Sequence, residues 1–552
     1  MKRPTRREFL HAASVGLAAL GAKSGVSAQG IRPGQAPGGS RLTLRGLTVD
    51  AARVPEKPAY YRRLIDFCHD WELNALLFRL TDDQGSMLRF RSHPDLITHA
   101  HALAPEEAHD LARYGESRGV TVIPEVESFG HSRYITMAPK YAHLADRQPG
   151  GRGEFAGLIP VDPETVALIG DLYKEVAGIF PSPYLHGGCD EVNWGGAELS
   201  RRALQTRSRA QIWAEYLNSL DEVCRGLGKE LIVWGDFVLH KEPDILPRLS
   251  KRVIVMDWQY YITEAAPLAQ AAREVIDRGL RVIGAPAIIS CEWGPRAGDL
   301  QLRNIDAYAD AYSSVHDARS LGVIVTNWIP SRYLQRSLWD TFAYAAVCLN
   351  RGSDTAQGSA FHEFVDRFYG SSWSHSWQDV FKNYYAITPN RHSCAPHWPG
   401  PRLPVPWASE DDLRRAAHAP PVETPPFKQL RSHVAAVAAT VRSNQPDFSA
   451  FALSAEYLDY LYWRDDAVRA RASSARARSA GEVILKIADR DRSLVDRLEA
   501  EWDTGRFADS QARVAPVIDF RAPDQLLFRM HAAKEFSAGL ASDGDRFLRL
   551  IA

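Results

Sequence analysis

No stretch of this chain approaches the roughly 18 to 20 consecutive apolar residues that a membrane-spanning helix requires, which argues against a bilayer span. Cysteine is scarce, and Cys68, Cys189, Cys224, Cys291, Cys348 and Cys394 are scattered without a Cys-x-x-Cys pair or any metal-ligand spacing. Disulfides are permitted in an oxidising compartment but are not required by a core of this size. Neither sign of charge dominates: 66 basic residues face 67 acidic ones, so nothing steers the chain toward nucleic acid or an anionic membrane surface. A glycine-rich phosphate loop is missing too, and with no cofactor motif evident the expectation is an activity without metal or organic cofactor.

What is present is ordinary globular composition, 45% hydrophobic and 24% charged over 552 residues, enough for one large domain and a smaller one. The first residues, MKRPTRREFLHAASVGLAALGAKSGVSAQG, combine the twin arginines Arg6 and Arg7, a short run of small apolar residues and Val26-Ser27-Ala28. Residues 1–28 are expected to be a twin-arginine export signal cleaved after Ala28, with 29–40 a linker, which predicts a periplasmic or secreted protein.

From Leu42 to about Gly352, short β-branched or apolar runs alternate with segments of helical spacing. The runs are 44–50, 74–83, 121–129, 184–192, 230–238, 252–260, 281–290 and 323–331. Helical segments such as 105–119, 163–180, 210–228 and 266–279 lie between them, and Gly119, Gly228, Gly279 and Gly322 read as helix C-caps. Eight such repeats predict an α/β fold of the (β/α)₈ TIM barrel type over residues 41–370.

In such a barrel the chemistry lies where strands end. Each run finishes in polar or aromatic residues: Asp50 and Arg53; Asp82 and Asp83; Glu125 and Glu127 with His131; Asp190 and Glu191; Trp234 and Asp236; Asp257 and Trp258; Ser290 and Glu292; Asn327 and Trp328. Carboxylates gathered in an aromatic cleft shift one another's pKa, and a raised value makes one of them a proton donor near neutral pH. Flat aromatic faces suit the CH faces of sugar rings, and a mouth of acids and tryptophans fits glycoside hydrolysis.

Four of these stretches in order resemble the β-N-acetylhexosaminidases of glycoside hydrolase family 20. They are RGLTVDAAR (45–53), NALLFRLTDDQG (74–85), VIPEVESFGHS (122–132) and YLHGGCDEV (184–192); the last is similar to the signature His-x-Gly-Gly-Asp-Glu, with Cys189 in place of the second glycine. The resemblance covers about residues 41–350 and implies a substrate-assisted retaining mechanism. Glu191 would be the general acid/base, and Asp190 would orient the 2-acetamido group and balance the oxazolinium charge. It further implies that Arg53 grips sugar hydroxyls, that Trp234, Trp258 and Trp328 box the acetamido methyl and the ring, and that His131, His186, Asp82 and Glu125 position the acids. Two departures stand out: APAIISCEWG (285–294) lacks the tyrosine and aspartate that family members place at the end of strand seven, and Trp328 is followed by Ile329-Pro330 without the usual glutamate. Glu292 or Trp293 is the expected substitute from a neighbouring position, and Asp236 is a further candidate substrate-binding residue.

The residues alone leave two other readings open. One is a glycosidase acting on sugars without an acetamido group, with Glu292, Asp236 or Asp257 as the second carboxylate; the other is a barrel that binds glycans without cutting them. An oligosaccharide or glycoconjugate is the expected substrate in each. Residues 371–426 are proline-rich and read as irregular; 427–552 show helical spacing and read as a helical C-terminal domain that packs on the barrel or forms a homodimer. Within it Tyr457, Tyr460, Tyr462 and Trp463 are expected in the core, and Arg464, Arg469, Arg471, Arg476 and Arg478 on solvated surface.

Overall fold

A computed structural model describes residues 42–147, 157–289, 297–386, 406–419, 429–472, 478–508 and 525–552. The expected export signal, the linker, Ser290, Glu292, Trp293, and residues 387–405 and 420–426 of the proline-rich segment lie outside these residues. Eight parallel strands close on themselves: β1 (Leu44–Val49), β2 (Ala75–Arg79), β3 (Thr121–Glu125), β4 (Tyr184–His186), β5 (Glu230–Trp234), β6 (Ile254–Asp257), β7 (Arg281–Gly284) and β8 (Ser320–Asn327) pair in chain order, and β8 returns to β1. The fold is thus the (β/α)₈ barrel read from the sequence, with a helical C-terminal region.

Helices α1 (Pro58–Asp70), α2 (Pro105–Ser117), α3 (Pro163–Ile179), α4 (Arg209–Gly226), α5 (Ala265–Asp277), α6 (Asp299–Ser314) and α7 (Trp339–Arg351) form the outer layer. Their starts are written locally. Proline occupies the first turn of α1, α2 and α3, where its missing N–H costs nothing, while Asp162 caps α3 and Ser208 with Gln211 forms a reciprocal capping box on α4. The fifth crossover departs from the repeat: a π-helical turn, Asp236–Lys241, and a 3₁₀ turn, Pro243–Arg248, stand where a helix would be. Gly322, expected as a helix cap, lies inside β8; a Cβ there would meet the Leu44 carbonyl oxygen at 2.0 Å, so glycine lets β8 close against β1.

Period-two alternation explains how the mouth acquires its floor. Ala75 and Leu77 of β2, Ile123 of β3, Tyr184 of β4 and Ile232 of β5 fill the barrel lumen. One step further along the same inward faces come Arg79, Glu125, His186 and Trp234, so the apolar lumen ends in a polar layer at the strands' C-terminal ends. The register agrees, since Arg79 pairs with Glu125 and Glu125 with His186.

Helices α8 (Ser353–Tyr369) and α9 (His375–Tyr385) follow the barrel, then α10 (Glu410–His418), α11 (Leu430–Ala438), α12 (Gln445–Ala472), α13 (Arg478–Gly505), α14 (Leu526–Ser542) and α15 (Gly544–Ile551). Both α9 and α10 fall within the segment read as irregular. Leu430, Tyr457, Tyr460, Tyr462, Leu498 and Trp502 share one continuous core with the barrel helices, while Trp407, Val468, Ile487 and Phe547 contribute to a second, smaller core. Two arginines expected on the surface are buried instead. Arg464 pairs with Asp491 at 2.9 Å and lies over the Trp407 ring, and Arg471 is buried as well. An opposite charge and a flat aromatic face 57 residues away remove the need for solvent, which helical spacing alone does not reveal. Arg476 and Arg478 have no described side-chain environment. None of the described helices is long and apolar enough to cross a membrane.

Candidate active site

Strand β4 ends at His186, and the chain then turns through Gly188, Cys189 and Glu191, all in the left-handed region with φ of 64°, 75° and 48°. On a regular strand, Asp190 and Glu191 would face opposite ways. The left-handed turn brings both carboxylates to one neighbour, the His131 imidazole, whose Nε2 lies 3.6 Å from Asp190 Oδ2 and 3.5 Å from Glu191 Oε2. Two contacts hold the turn. Glu127 Oε2 accepts the Cys189 N–H at 3.1 Å, and Asp236 Oδ2 accepts the Glu191 N–H at 3.2 Å. At Gly188 a Cβ would sit 2.0 Å from Glu127 Oε2, so a side chain there would have to displace that carboxyl.

His131 is itself left-handed, with φ of 41°, and is fixed from behind by Asp83, whose Oδ2 lies 2.9 Å from Nδ1. Burial alone would lower its pKa, but Asp190 and Asp83 raise it well above the ordinary imidazole value. The ring is therefore a cation with a proton on each nitrogen. Burial would likewise raise Asp190, yet His131, Arg79 and a hydrogen bond from Glu127 hold its carboxyl well below the usual range. Asp190 is ionised, 16% exposed, and its Oδ1 has no protein partner among the described residues; Glu191, 31% exposed, stands nearer the solvent.

Beneath the pair, Arg79 gathers four acids. Its guanidinium reaches Glu125 Oε1 at 2.5 Å, Glu127 Oε1 at 2.7 Å, Asp82 Oδ2 at 2.7 Å and, more distantly, Asp50 Oδ1 at 3.9 Å. Burial pushes Glu125 up to about 7 against the pull of Arg79, and drives Glu127 well above the carboxylate range. Asp82 goes the other way, down to about 2, since Arg53 and Arg79 overcome its burial. Floor and wall thus hold neutral and ionised acids side by side. His186 is pulled down to about 3 by burial, so it is a neutral ring, tilted against Trp234 with centroids 4.4 Å apart.

The remaining candidates occupy the rim. Arg53 bridges Asp50 at 2.9 Å and Asp82 at 3.0 Å, with its guanidinium carbon 5.5 Å from the Trp328 ring centroid. Trp258 and Trp328 are half-buried, whereas Trp234 is 1% exposed and donates its indole N–H to Glu125 Oε1 at 2.9 Å. Trp234 meets Trp328 edge-on at 5.6 Å, so it supports the rim from below. Asp236 is buried against Lys241 Nζ at 2.5 Å, and Asp257 against His240 at 3.1 Å and Gln259 at 2.9 Å. Glu292 lies outside the described residues.

Sequence reasoning missed Arg79, Lys241 and Tyr260. Tyr260 accepts the Trp328 indole N–H at 2.8 Å and stacks on Trp258 at 5.0 Å. Burial pushes its phenol up against the hydrogen bonds with Thr326 and Trp328, and Asp190 and Glu191 add to the rise, so the O–H stays protonated near those acids. The available signal was its place three residues beyond the end of β6. The His131, Asp190 and Glu191 ligand atoms lie within 4.8 Å of one another, a spacing compatible with a metal ion. Metal binding there would require the imidazolium to lose its Nε2 proton first.

Residues 43–291 match the family model described as glycosyl hydrolase family 20, catalytic domain. A β-hexosaminidase of Vibrio furnissii is 26% identical over 269 residues, covering 43% of this chain and 42% of that protein. Human hexosaminidase D is 29% identical over 235 residues, covering 40% and 46% respectively. Each alignment therefore spans less than half of the relative's length. A solved β-N-acetylhexosaminidase of Bacteroides fragilis is 17% identical with a TM-score of 0.49, covering 59% of this chain and 71% of that one. The family's catalytic-domain model thus falls on β1 to β7, and over that stretch the chain is similar to glycosyl hydrolase family 20.

Proposed function

We propose that the protein is a glycoside hydrolase of the β-N-acetylhexosaminidase type that releases β-linked N-acetylhexosamine by a substrate-assisted retaining mechanism, and that it is exported to the periplasm or beyond through its twin-arginine leader. The observation that carries the reading is the convergence of Asp190 and Glu191 on one imidazolium, which gives a permanently ionised carboxylate beside a second, more exposed one. In this scheme the substrate's acetamido N–H hydrogen-bonds to the Asp190 carboxylate, turning the carbonyl oxygen toward C1. Glu191 gives its proton to the glycosidic oxygen as the C1–O bond breaks, and the carbonyl oxygen forms the new bond to C1. Positive charge then spreads over the oxazolinium ring, next to Asp190. Ionised Glu191 takes a proton from water, whose oxygen attacks C1 and restores the acetamide.

The phenol of Tyr260, arriving from the end of β6, is suited to donate to the acetamido carbonyl and so offsets the absence of a tyrosine in 285–294. The half-buried faces of Trp258 and Trp328 supply flat walls, and Arg53 a donor for ring hydroxyls. The two-carboxylate alternative loses support from Asp236 and Asp257, because both are buried and engaged by side-chain donors. A panel of chromogenic β-glycosides with and without the 2-acetamido group tests the reading. Selective cleavage of the acetamido sugars, reduced by about 10³-fold or more in Glu191→Gln, is the expected result. Equal cleavage of plain hexosides would overturn it.

A further inference from the structure

The end of α13 meets three of the loops that form the mouth. Arg506, fully buried, places Nε 3.0 Å from both carboxylate oxygens of Glu56 and donates from Nη1 to the Tyr333 carbonyl at 2.8 Å. Glu56 lies on the loop between β1 and α1 that also carries Asp50 and Arg53; Tyr333 lies on the loop between β8 and α7 that begins with Trp328. Backbone pairing between Glu56 and Arg506, the Lys57 ammonium on the Asp503 carbonyl at 2.8 Å, and a two-pronged pair between Arg336 and Glu501 at 2.8 and 2.9 Å extend the contact. Gln335 ties the two loops together through Glu56 Oε2 at 2.5 Å and reaches the Gly505 carbonyl at 3.2 Å. The third connection, between β2 and α2, contributes His101 from a short strand, Thr98–Leu103, and its ring stacks on Phe507 at 3.7 Å.

From these contacts a short path leads to the sugar-facing side chains. Tyr333 accepts the Asn327 side-chain N–H at 2.7 Å, and Asn327 precedes Trp328. On the other loop, Asp50 takes the Ile329 N–H at 3.0 Å while holding Arg53 at 2.9 Å. Ile329 sits at φ 58°, a conformation a β-branched residue keeps only when its neighbours impose it. Asp190 and Glu191, by contrast, hang from β4 and are held by Glu127, Asp236 and His131. Arg79 joins the two sides, through Asp50 and Asp82 on the wall and Glu127 behind the acids, whereas the Arg506 contacts above lie on the wall side.

We propose that the Glu56–Arg506 pair makes the C-terminal helical region an integral part of the saccharide wall, with Arg506 a positioning residue for Arg53 and Trp328. The proposal rests on the mechanism above for its kinetic readout but not for its structural one. The test uses the full chain with Arg506→Met combined with Glu56→Gln, so that no buried carboxylate is left unpaired, and separately Gln335→Ala, which leaves the ion pair in place. The expected kinetic result is KM raised about 5- to 50-fold in the double variant and about 2- to 5-fold in Gln335→Ala, with kcat held within about threefold. Hydrogen exchange should accelerate about tenfold or more over 50–57 and 328–338 while 184–192 is unchanged. A merely structural role lowers Vmax with the folded fraction and leaves KM and loop exchange alone, and that outcome overturns the proposal. Should the double variant not fold, Gln335→Ala decides by the same two readings. Should the wild type cleave no hexosaminide, the mechanism fails, and loop exchange by itself supports or overturns the coupling.

Discussion

Replacing His131 by asparagine tests the electrostatic core of the site. Asparagine is chosen because it tolerates left-handed backbone better than most residues, so the 41° φ is kept while the cation is removed. The imidazolium stands 3.6 Å from Asp190 and 3.5 Å from Glu191. At an effective dielectric of about 20, a full charge pair at such distances is worth about 4 to 5 kcal/mol. Water entry and relaxation would take roughly half of that, leaving about 2 to 3 kcal/mol, or about 30- to 100-fold in kcat/KM at one tenfold step per 1.4 kcal/mol. The sign of the pH effect follows from Asp190. Its carboxyl is held down by His131 against burial, so without the cation burial prevails, its pKa rises, and protonation sets in at higher pH as the solution is acidified. The acid limb of kcat/KM for a chromogenic N-acetylglucosaminide should move upward in pH, while substrates with poor leaving groups show the same displacement. An acid limb that stays in place, with activity lost only in proportion to the folded fraction measured by calorimetry, would refute the reasoning.

Two further substitutions probe the supports. Lys241→Met removes the cation that opposes burial at Asp236, so Asp236 protonates more readily and holds the Glu191 N–H less well; kcat should fall about tenfold with KM little changed, as steady-state kinetics will show. Arg79→Met leaves Asp82, Glu125 and Glu127 without their shared cation, and urea unfolding near pH 8 should reveal a loss of about 3 to 5 kcal/mol. The deficit should shrink toward pH 5, because removing the arginine raises the folded-state carboxylate pKa values and the folded state then takes up protons that the unfolded chain does not.

The barrel was legible because its strands stop in polar residues and its helices begin at proline, aspartate or serine, all local signals. Asp190, Glu191, His131 and Asp82 could be placed at the mouth for the same reason. Arg79 was not, since the second run was read as extending to Asp83 and the arginine looked interior; the strand ends at Arg79 itself, where the inward face turns polar. Tyr260 follows the sixth strand, whereas the family resemblance places its tyrosine at the end of the seventh. Lys241 belongs to a π-helical turn, whose side-chain spacing matches neither a strand nor an α-helix. The docking of α13 had no local signature at all, for Glu56 and Arg506 are 450 positions apart and each resembles an ordinary surface charge in its own neighbourhood.

The left-handed residues Gly188, Cys189 and Glu191 also bear on how this barrel can diversify. Few side chains are at ease in that backbone, and one at Gly188 would have to displace the Glu127 carboxyl, so saturation mutagenesis there should yield a narrow set of survivors compared with the rims of the sixth and eighth strands. New specificities would then arise by exchanging aromatic and polar groups on the far wall, leaving the corner that bears the acids as a fixed hub around which the rest of the cleft is free to drift.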